Sequence, residues 1–373
     1  MMKKDQFLLL LIAISFVGCN NASKKSTSAF SNIDEDFPVT EQLEFTPFNT
    51  YDILGDGLCV IDGSILWYVE NGKDDFGACY DLNTGEKLSV IASKGRAANE
   101  LIELAGFAII RDSVLLYENQ NTIKTFAKKD IVGNMPLGDR KASVITTPDH
   151  ILVNQMTKLP NGSVLATIRP VAFEFEKEKM NEINKSSVVV FNDNDVTPYE
   201  TIKYDSFDVG KATDRQINEN DLIKWSYAQG MIEIKDNDMA VFSVHNQFML
   251  YTFDINTGNV VNEKRYTKMQ RDGMEMSLTS TNDMSQSIRF MKVNDKYILC
   301  LVRGYLSEKD KDLKRPKEAI FVFDWDLKPV KKFDLPNPEG MVGYYCISND
   351  CNSVYFCEYG EEGLTLHKAD LNI

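Results

Sequence analysis

Histidine is scarce in this sequence: three residues, His150, His245 and His367, in a chain of 373. They fall in separate stretches and no G-x-S-x-G elbow is present, so relay-type nucleophilic catalysis finds no support. Each is expected to be exposed or packed. The seven cysteines include no C-x-x-C pair, which leaves zinc ribbons and thioredoxin-like sites without their ligands. Basic residues are outnumbered, 41 against 55, and no basic stripe offsets the net charge of −14. Nucleic acid and anionic lipid surfaces are poor partners for such a chain. Helical periodicity is nearly missing; Phe175 to Lys185, in a charged insertion, is the best candidate. No apolar run reaches the about 20 residues that a membrane span requires.

What the sequence has instead is a repeated phrase. A short apolar strand ends in an aromatic residue, then an acidic or polar turn, then a second strand. It reads Ala78-Cys79-Tyr80-Asp81-Leu82-Asn83-Thr84-Gly85 and Leu250-Tyr251-Thr252-Phe253-Asp254-Ile255-Asn256-Thr257-Gly258. It returns at Phe321-Val322-Phe323-Asp324-Trp325-Asp326 and Val189-Val190-Phe191-Asn192-Asp193, and more faintly at Thr125 to Asp130 and Leu366 to Leu371. Six copies of one hairpin indicate a radial repeat, an all-β six-bladed β-propeller of four-stranded antiparallel blades. Blade one is the clearest: Leu58 to Ile61, the turn Asp62-Gly63, Ser64 to Val69, Phe76 to Tyr80, then Lys87 to Ile91. The same template places blade two over 107–146, blade three over 151–203, blade four over 231–266 and blade five over 288–334. Blade six, from Val342 to His367, is one strand short when the chain ends. The strand-like stretch Glu41 to Thr46 has no partner in blade one and is expected to supply the missing outer strand, closing the ring. Asn192-Asp193-Asn194-Asp195 has oxygen density suited to Ca²⁺, but it lacks the Gly and distant Glu of an EF-hand and sits where a hairpin turn belongs.

The N-terminus reads as a targeting segment, residues 1–18. Lys3 and Lys4 precede the apolar run Phe7 to Val17, and Val17-Gly18-Cys19 resembles the lipobox of bacterial lipoproteins. The resemblance implies lipidation of Cys19 and a membrane held through acyl chains. Residues 19–40 then serve as a flexible tether, and 41–373 form the propeller. The expected location is the cell envelope, at the outer membrane with the domain in the periplasm; surface exposure stays open. Of the other six cysteines, Cys59, Cys79 and Cys300 lie in apolar strand runs and read as small buried hydrophobes. Pairing among these three and Cys346, Cys351 and Cys357 is not selected by spacing.

Three stretches resemble the TolB-like six-bladed β-propeller lipoproteins of Bacteroidetes-type bacteria. Gly95-Arg96-Ala97-Ala98-Asn99-Glu100 is similar to that family's Gly-Arg-Gly-Pro-x-Glu segment, with alanine in place of the second Gly and the Pro. Ser226-Tyr227-Ala228-Gln229-Gly230 resembles the loop entering blade four, and Phe321 to Val330 the blade-five hairpin. The resemblance implies fold and envelope location but no settled chemistry. By analogy with propellers in general, function is expected on the loops that lead into the innermost strands and those that join second to third strands. Those loops hold Arg96, Glu100, Arg169, Trp225, Tyr227, Arg303 and Tyr305. Guanidinium forks beside aromatic rings suit a carboxylate or a sugar; against this, Arg96 and Glu100 can pair to pin one loop. The expectation is a non-catalytic propeller that binds a small molecule, a glycan or a protein, with no metal or cofactor. The alternative is a propeller hydrolase or lyase acting on a glycan or lactone, which needs a metal in the channel or two or more of His150, His245, Glu100 and Glu233 to converge there. A third reading is a structural subunit of an envelope assembly.

Overall fold

A computed structural model describes residues 30, 33–97, 99–118, 122–147, 151–170, 188–192, 195–199, 230–236, 238–244, 248–266, 286–304, 317–336 and 342–373. The expected helix at Phe175 to Lys185, the lipobox with Cys19, and Trp225, Tyr227, Tyr305, His150 and His245 lie outside these residues.

The strands fall into six sheets. Strands β1 (Thr40–Gln42) and β2 (Thr46–Tyr51) precede the first blade. Blade one is β3 (Leu58–Asp62), β4 (Ile65–Val69), β5 (Ala78–Asp81) and β6 (Lys87–Val90). Blade two is β7 (Leu104–Ile110), β8 (Ser113–Glu118), β9 (Thr122–Ala127) and β10 (Ala142–Thr146), with a short helix α1 (Lys128–Val132) before its last strand. Blade three is β11 (Ile151–Lys158), β12 (Val164–Pro170), β13 (Val188–Asn192) and β14 (Asp195–Pro198). Blade four is β15 (Met231–Ile234), β16 (Met239–Ser243), β17 (Met249–Asp254) and β18 (Val260–Arg265). Blade five is β19 (Gln286–Val293), β20 (Tyr297–Gly304), β21 (Lys317–Asp324) and β22 (Pro329–Asp334). Blade six has β23 (Gly343–Ile347), β24 (Ser353–Gly360) and β25 (Gly363–Asp370). Around the axis β7 touches β11, β11 touches β15, β15 touches β19, β19 touches β23, and β23 touches β3. Asn192 pairs with Asp195 where β13 meets β14 antiparallel; residues 193 and 194 of the Asn/Asp run lie outside the described residues.

An N-terminal strand completes the last blade, but it is β2, which pairs antiparallel with β25 from Thr46 to Tyr51. The stretch 41–46 read from the sequence lies one step too early. Within it, β1 adds instead as a fifth, parallel strand on β22 of blade five. Its three residues, Thr40, Glu41 and Gln42, are all polar and mark no face for burial, so pattern alone does not choose a sheet edge. Packing also begins ahead of residue 41. Phe30, Ile33 and Phe37 are buried, and the rings of Phe30 and Phe37 meet Phe321 edge-on at 5.2 and 5.0 Å. Lys332 holds Asp34 at 2.7 Å and Asp334 at 2.8 Å, and Tyr266 donates to Asp36 at 2.9 Å.

The core is six inter-blade layers rather than one centre. In β20, Ile298, Cys300 and Val302 pack toward blade four, while Leu299 and Leu301 pack toward blade six. In β4, Leu66 and Tyr68 face blade six, and Trp67 faces blade two. A strand covered on both faces has no solvent side, so its sequence is a continuous apolar run rather than an alternation.

Candidate functional site

Six hairpin turns, each joining an innermost strand to its second strand, surround one end of the axis. They enclose a cavity of about 350 Å³ to which every blade contributes. Blade one supplies Asp62, blade two Arg111, blade three Thr157, blade four Glu233 and Lys235, blade five Lys292, and blade six Asn349 and Asp350.

Much of this wall is cross-linked from blade to blade. Asp62 accepts from Lys128 of blade two at 2.8 Å and from the Asn349 side-chain amide of blade six at 3.2 Å. The Asn349 backbone N–H donates to the Ile61 carbonyl at 2.8 Å. Lys292 reaches Glu233 at 2.8 Å, tying blade five to blade four. Asp350 is engaged by Ser348 at 2.5 Å and by the Asn352 N–H at 3.1 Å. Burial raises the Asp350 carboxyl, and these hydrogen bonds together bring it below the usual range.

Two groups in the wall are left over. Among the described residues five buried side-chain polar atoms lack a partner, and two of them, Thr157 Oγ1 and Asn349 Oδ1, line this cavity. The Asn349 amide cannot be turned over to cure this, because its nitrogen is needed by the Asp62 carboxylate. Arg111 and Lys235 have no ion-pair partner among the described residues, though Lys235 sits 5.5 Å above the Trp325 ring. Arg111 also holds φ +52°, at the turn position where blade one has Gly63 at +59°. An arginine kept in the left-handed region costs roughly 1 kcal/mol that a glycine avoids.

The expected site residues do not form one cluster. Arg96 is exposed in the link between blades one and two. It lines a second cavity, about 490 Å³, with Glu118 and Lys124. Those two form a buried ion pair at 3.4 Å, and Glu118 also accepts from the Ile102 N–H at 2.5 Å. Glu100 turns back to accept the Ala97 N–H at 2.9 Å, so the partner that pins this loop is backbone rather than Arg96. A Cβ on Gly95 would stand 1.8 Å from the Glu100 carboxylate, so a larger residue there would push that side chain off the Ala97 N–H. Arg303, on blade five, is held by its cross-strand neighbour Glu318 at 2.8 and 2.9 Å. Arg169 pairs with Leu152 in β12, its side chain being outside the described residues. Glu100 and Glu233 belong to opposite ends of their blades and do not converge. His367 meets Glu358 at 2.7 Å on β25 and β24, away from both cavities. The sequence reasoning passed over Thr157, Arg111, Lys235 and Asn349. The signal for all but Thr157 was their place in or beside the first hairpin turn of a blade.

Among curated proteins no match was found. Solved structures of similar shape include the Myceliophteria thermophila Cps50 (Swd1) β-propeller domain, at 10% identity and TM-score 0.41, covering 87% of this chain and 99% of that one. A luciferin-regenerating enzyme aligns at 8% identity and TM-score 0.41, covering 88% and 95%. The family model described as TolB-like 6-blade propeller-like matches residues 59–348, the span from the first blade to the last. With six four-stranded blades and that match over most of its length, the chain belongs to the TolB-like family of six-bladed propellers.

Proposed function

We propose that this protein is a lipid-anchored component of the cell envelope whose propeller binds a small polar ligand without transforming it. The anchor rests on the Lys3-Lys4 start, the apolar run to Val17 and the Val17-Gly18-Cys19 sequence. The observation that carries the binding role is the six-blade cavity with Thr157 Oγ1 and Asn349 Oδ1 unpaired in its wall. Buried polar atoms in native proteins are nearly always paired, and a ligand that offers a donor to Asn349 and a hydroxyl or N–H to Thr157 meets that need. Arg111 and Lys235 at the same mouth favour an acidic or strongly polar group on that ligand. Sugars, sugar acids and short peptides fit this description.

The test is a thermal-shift screen of the full chain in detergent against glycans, peptides and Ca²⁺, with a chelator control. A ligand at one hundred times its Kd raises stability by about 2.7 kcal/mol. Thr157→Val removes the unpaired hydroxyl at nearly constant shape, so the unliganded protein is expected to be as stable or more stable while the ligand-induced shift falls. If Arg96→Ala or Arg303→Ala abolishes the shift and Thr157→Val leaves it intact, the ligand sits at the other end of the blades. No shift with any probe moves the role to a protein partner.

A further inference from the structure

Three of the cysteines meet at one joint. Cys346 in β23, Cys357 in β24 and Cys59 in β3 lie where blade six packs on blade one, with exposures of 2%, 0% and 0%. The sulfurs of Cys346 and Cys357 are 3.6 Å apart. The Cys59 thiol packs beside Cys357 in the same buried cluster. The phenols of Tyr344 and Tyr359 close the pocket, the first accepting the Cys59 N–H at 2.5 Å and both donating to the Gly57 carbonyl. Of the other described cysteines, Cys79 contacts Ser89, Cys351 is buried between blades five and six, and Cys300 has no hydrogen-bond partner among the described residues. Space-filling explains a solitary buried cysteine such as Cys300; it does not require sulfur against sulfur.

We propose that Cys346 and Cys357 form a disulfide, made while the last blade folds and then enclosed when the ring shuts. In the β23–β24 pairing Cys346 faces Tyr355 and Cys357 faces Tyr344, so the two cysteines are diagonal neighbours on one face. Their sulfurs need to close from 3.6 Å to about 2.05 Å. The pair is local in the chain and its hairpin forms early, whereas Cys59 reaches Cys357 only after the whole ring is assembled. The reaction is thiol–disulfide exchange. One thiolate attacks the sulfur of an external protein or small-molecule disulfide, releasing one thiol of that oxidant. The second cysteine then displaces the other as a thiolate, which takes up a proton. Two protons and two electrons leave the cysteine pair, and the external disulfide is reduced to two thiols. In the closed ring, burial pushes the Cys357 thiol well above the usual range. Its thiolate is then too rare, and the oxidant too distant, for the bond to form readily after folding.

The test supplies its own oxidant, so it does not depend on where the protein resides or on what the channel binds. The full chain in detergent is reduced, unfolded and refolded with glutathione disulfide, then alkylated and digested without reductant. Mass spectrometry is expected to show one linked peptide joining Cys346 to Cys357, with Cys59, Cys79, Cys300 and Cys351 alkylated. The folded, reduced protein given the same oxidant is expected to acquire the bond only as slowly as it unfolds. The oxidised form is expected to melt a few degrees above the reduced one, and the Cys346→Ser/Cys357→Ser variant to ignore the oxidant. A second measurement needs no refolding: thiols are blocked as cells are lysed, and the native protein is mapped. A Cys346–Cys357 peptide in both maps supports the proposal. A Cys59–Cys357 bond in its place, or six alkylated thiols in the native protein, overturns it.

Discussion

One carboxylate oxygen organises each clear copy of the repeated phrase. Asp81 Oδ1 accepts the N–H groups of Asn83 and Thr84 at 3.0 and 2.8 Å; Asp254 Oδ1 accepts those of Asn256 and Thr257, both at 2.8 Å. Gly85 and Gly258 then take φ +75° and +69° to turn the chain into the fourth strand. Blade five reaches the same turn with Leu327 at φ +60° and the Lys328 N–H on Asp324 at 2.8 Å. The repeated aspartate is therefore structural. The Thr257 N–H, with help from Asn256, holds the Asp254 carboxyl below its ordinary range. A depressed carboxyl stabilises the fold above its unfolded value of about 3.9, and the gain disappears as pH falls through the lower folded value. Asp254→Asn keeps the acceptor and removes the charge, so its melting temperature is expected to lie below the parent at pH 7 and to meet it in acid, once pH falls below the lowered folded value. A gap that persists unchanged in acid contradicts this account.

Between elements, the outer strand of one blade clasps the turn of the next. Tyr51 of β2 donates to the Leu82 carbonyl at 2.6 Å, and Asn49 donates to the same oxygen at 3.2 Å. Tyr199, just past β14, donates likewise to Ile255, and Asn262 of β18 to Trp325 at 3.3 Å. Each acceptor is the carbonyl directly after the repeated aspartate, so one turn both ends its own hairpin and receives its neighbour. Tyr51 is buried, and desolvation holds its phenol protonated well above the ordinary range. Tyr51→Phe removes the donor and leaves the Leu82 carbonyl half satisfied. The expected loss is about 1–2 kcal/mol, read from urea unfolding with an unchanged slope. The strands themselves were legible because a two-faced strand has to be apolar throughout. The five-residue helix α1 was not, being too short to establish a period.

For the whole molecule, stability depends on closure of the ring by the N-terminal strand. The N-terminal chain docks Phe30 and Phe37 on blades four and five, runs beside β22, and then crosses to complete blade six. Removing residues 1–51 exposes the β25 edge and uncovers Phe321, Phe323 and Leu366. The truncated chain is expected to melt lower and to aggregate on heating; a melting temperature equal to the parent's contradicts closure by β2. The candidate site exists only at this scale. Thr157 and Asn349 are far apart in sequence and belong to blades three and six, and no local pattern marks either as facing a shared cavity.

By itself the sequence determined the number of blades, the antiparallel hairpins and the need for an N-terminal strand to finish the last one. These follow from local rules: apolar runs of strand length, turn residues with the right backbone freedom, and an unpaired edge that has to be covered. The tertiary structure alone decided which N-terminal residues close the ring and which thiols and polar side chains meet. Those choices depend on contacts between residues separated by most of the chain, as Cys59 with Cys357 and Thr46 with Lys368 show. A closed ring brings such residues together through its geometry, and sequence spacing does not record it.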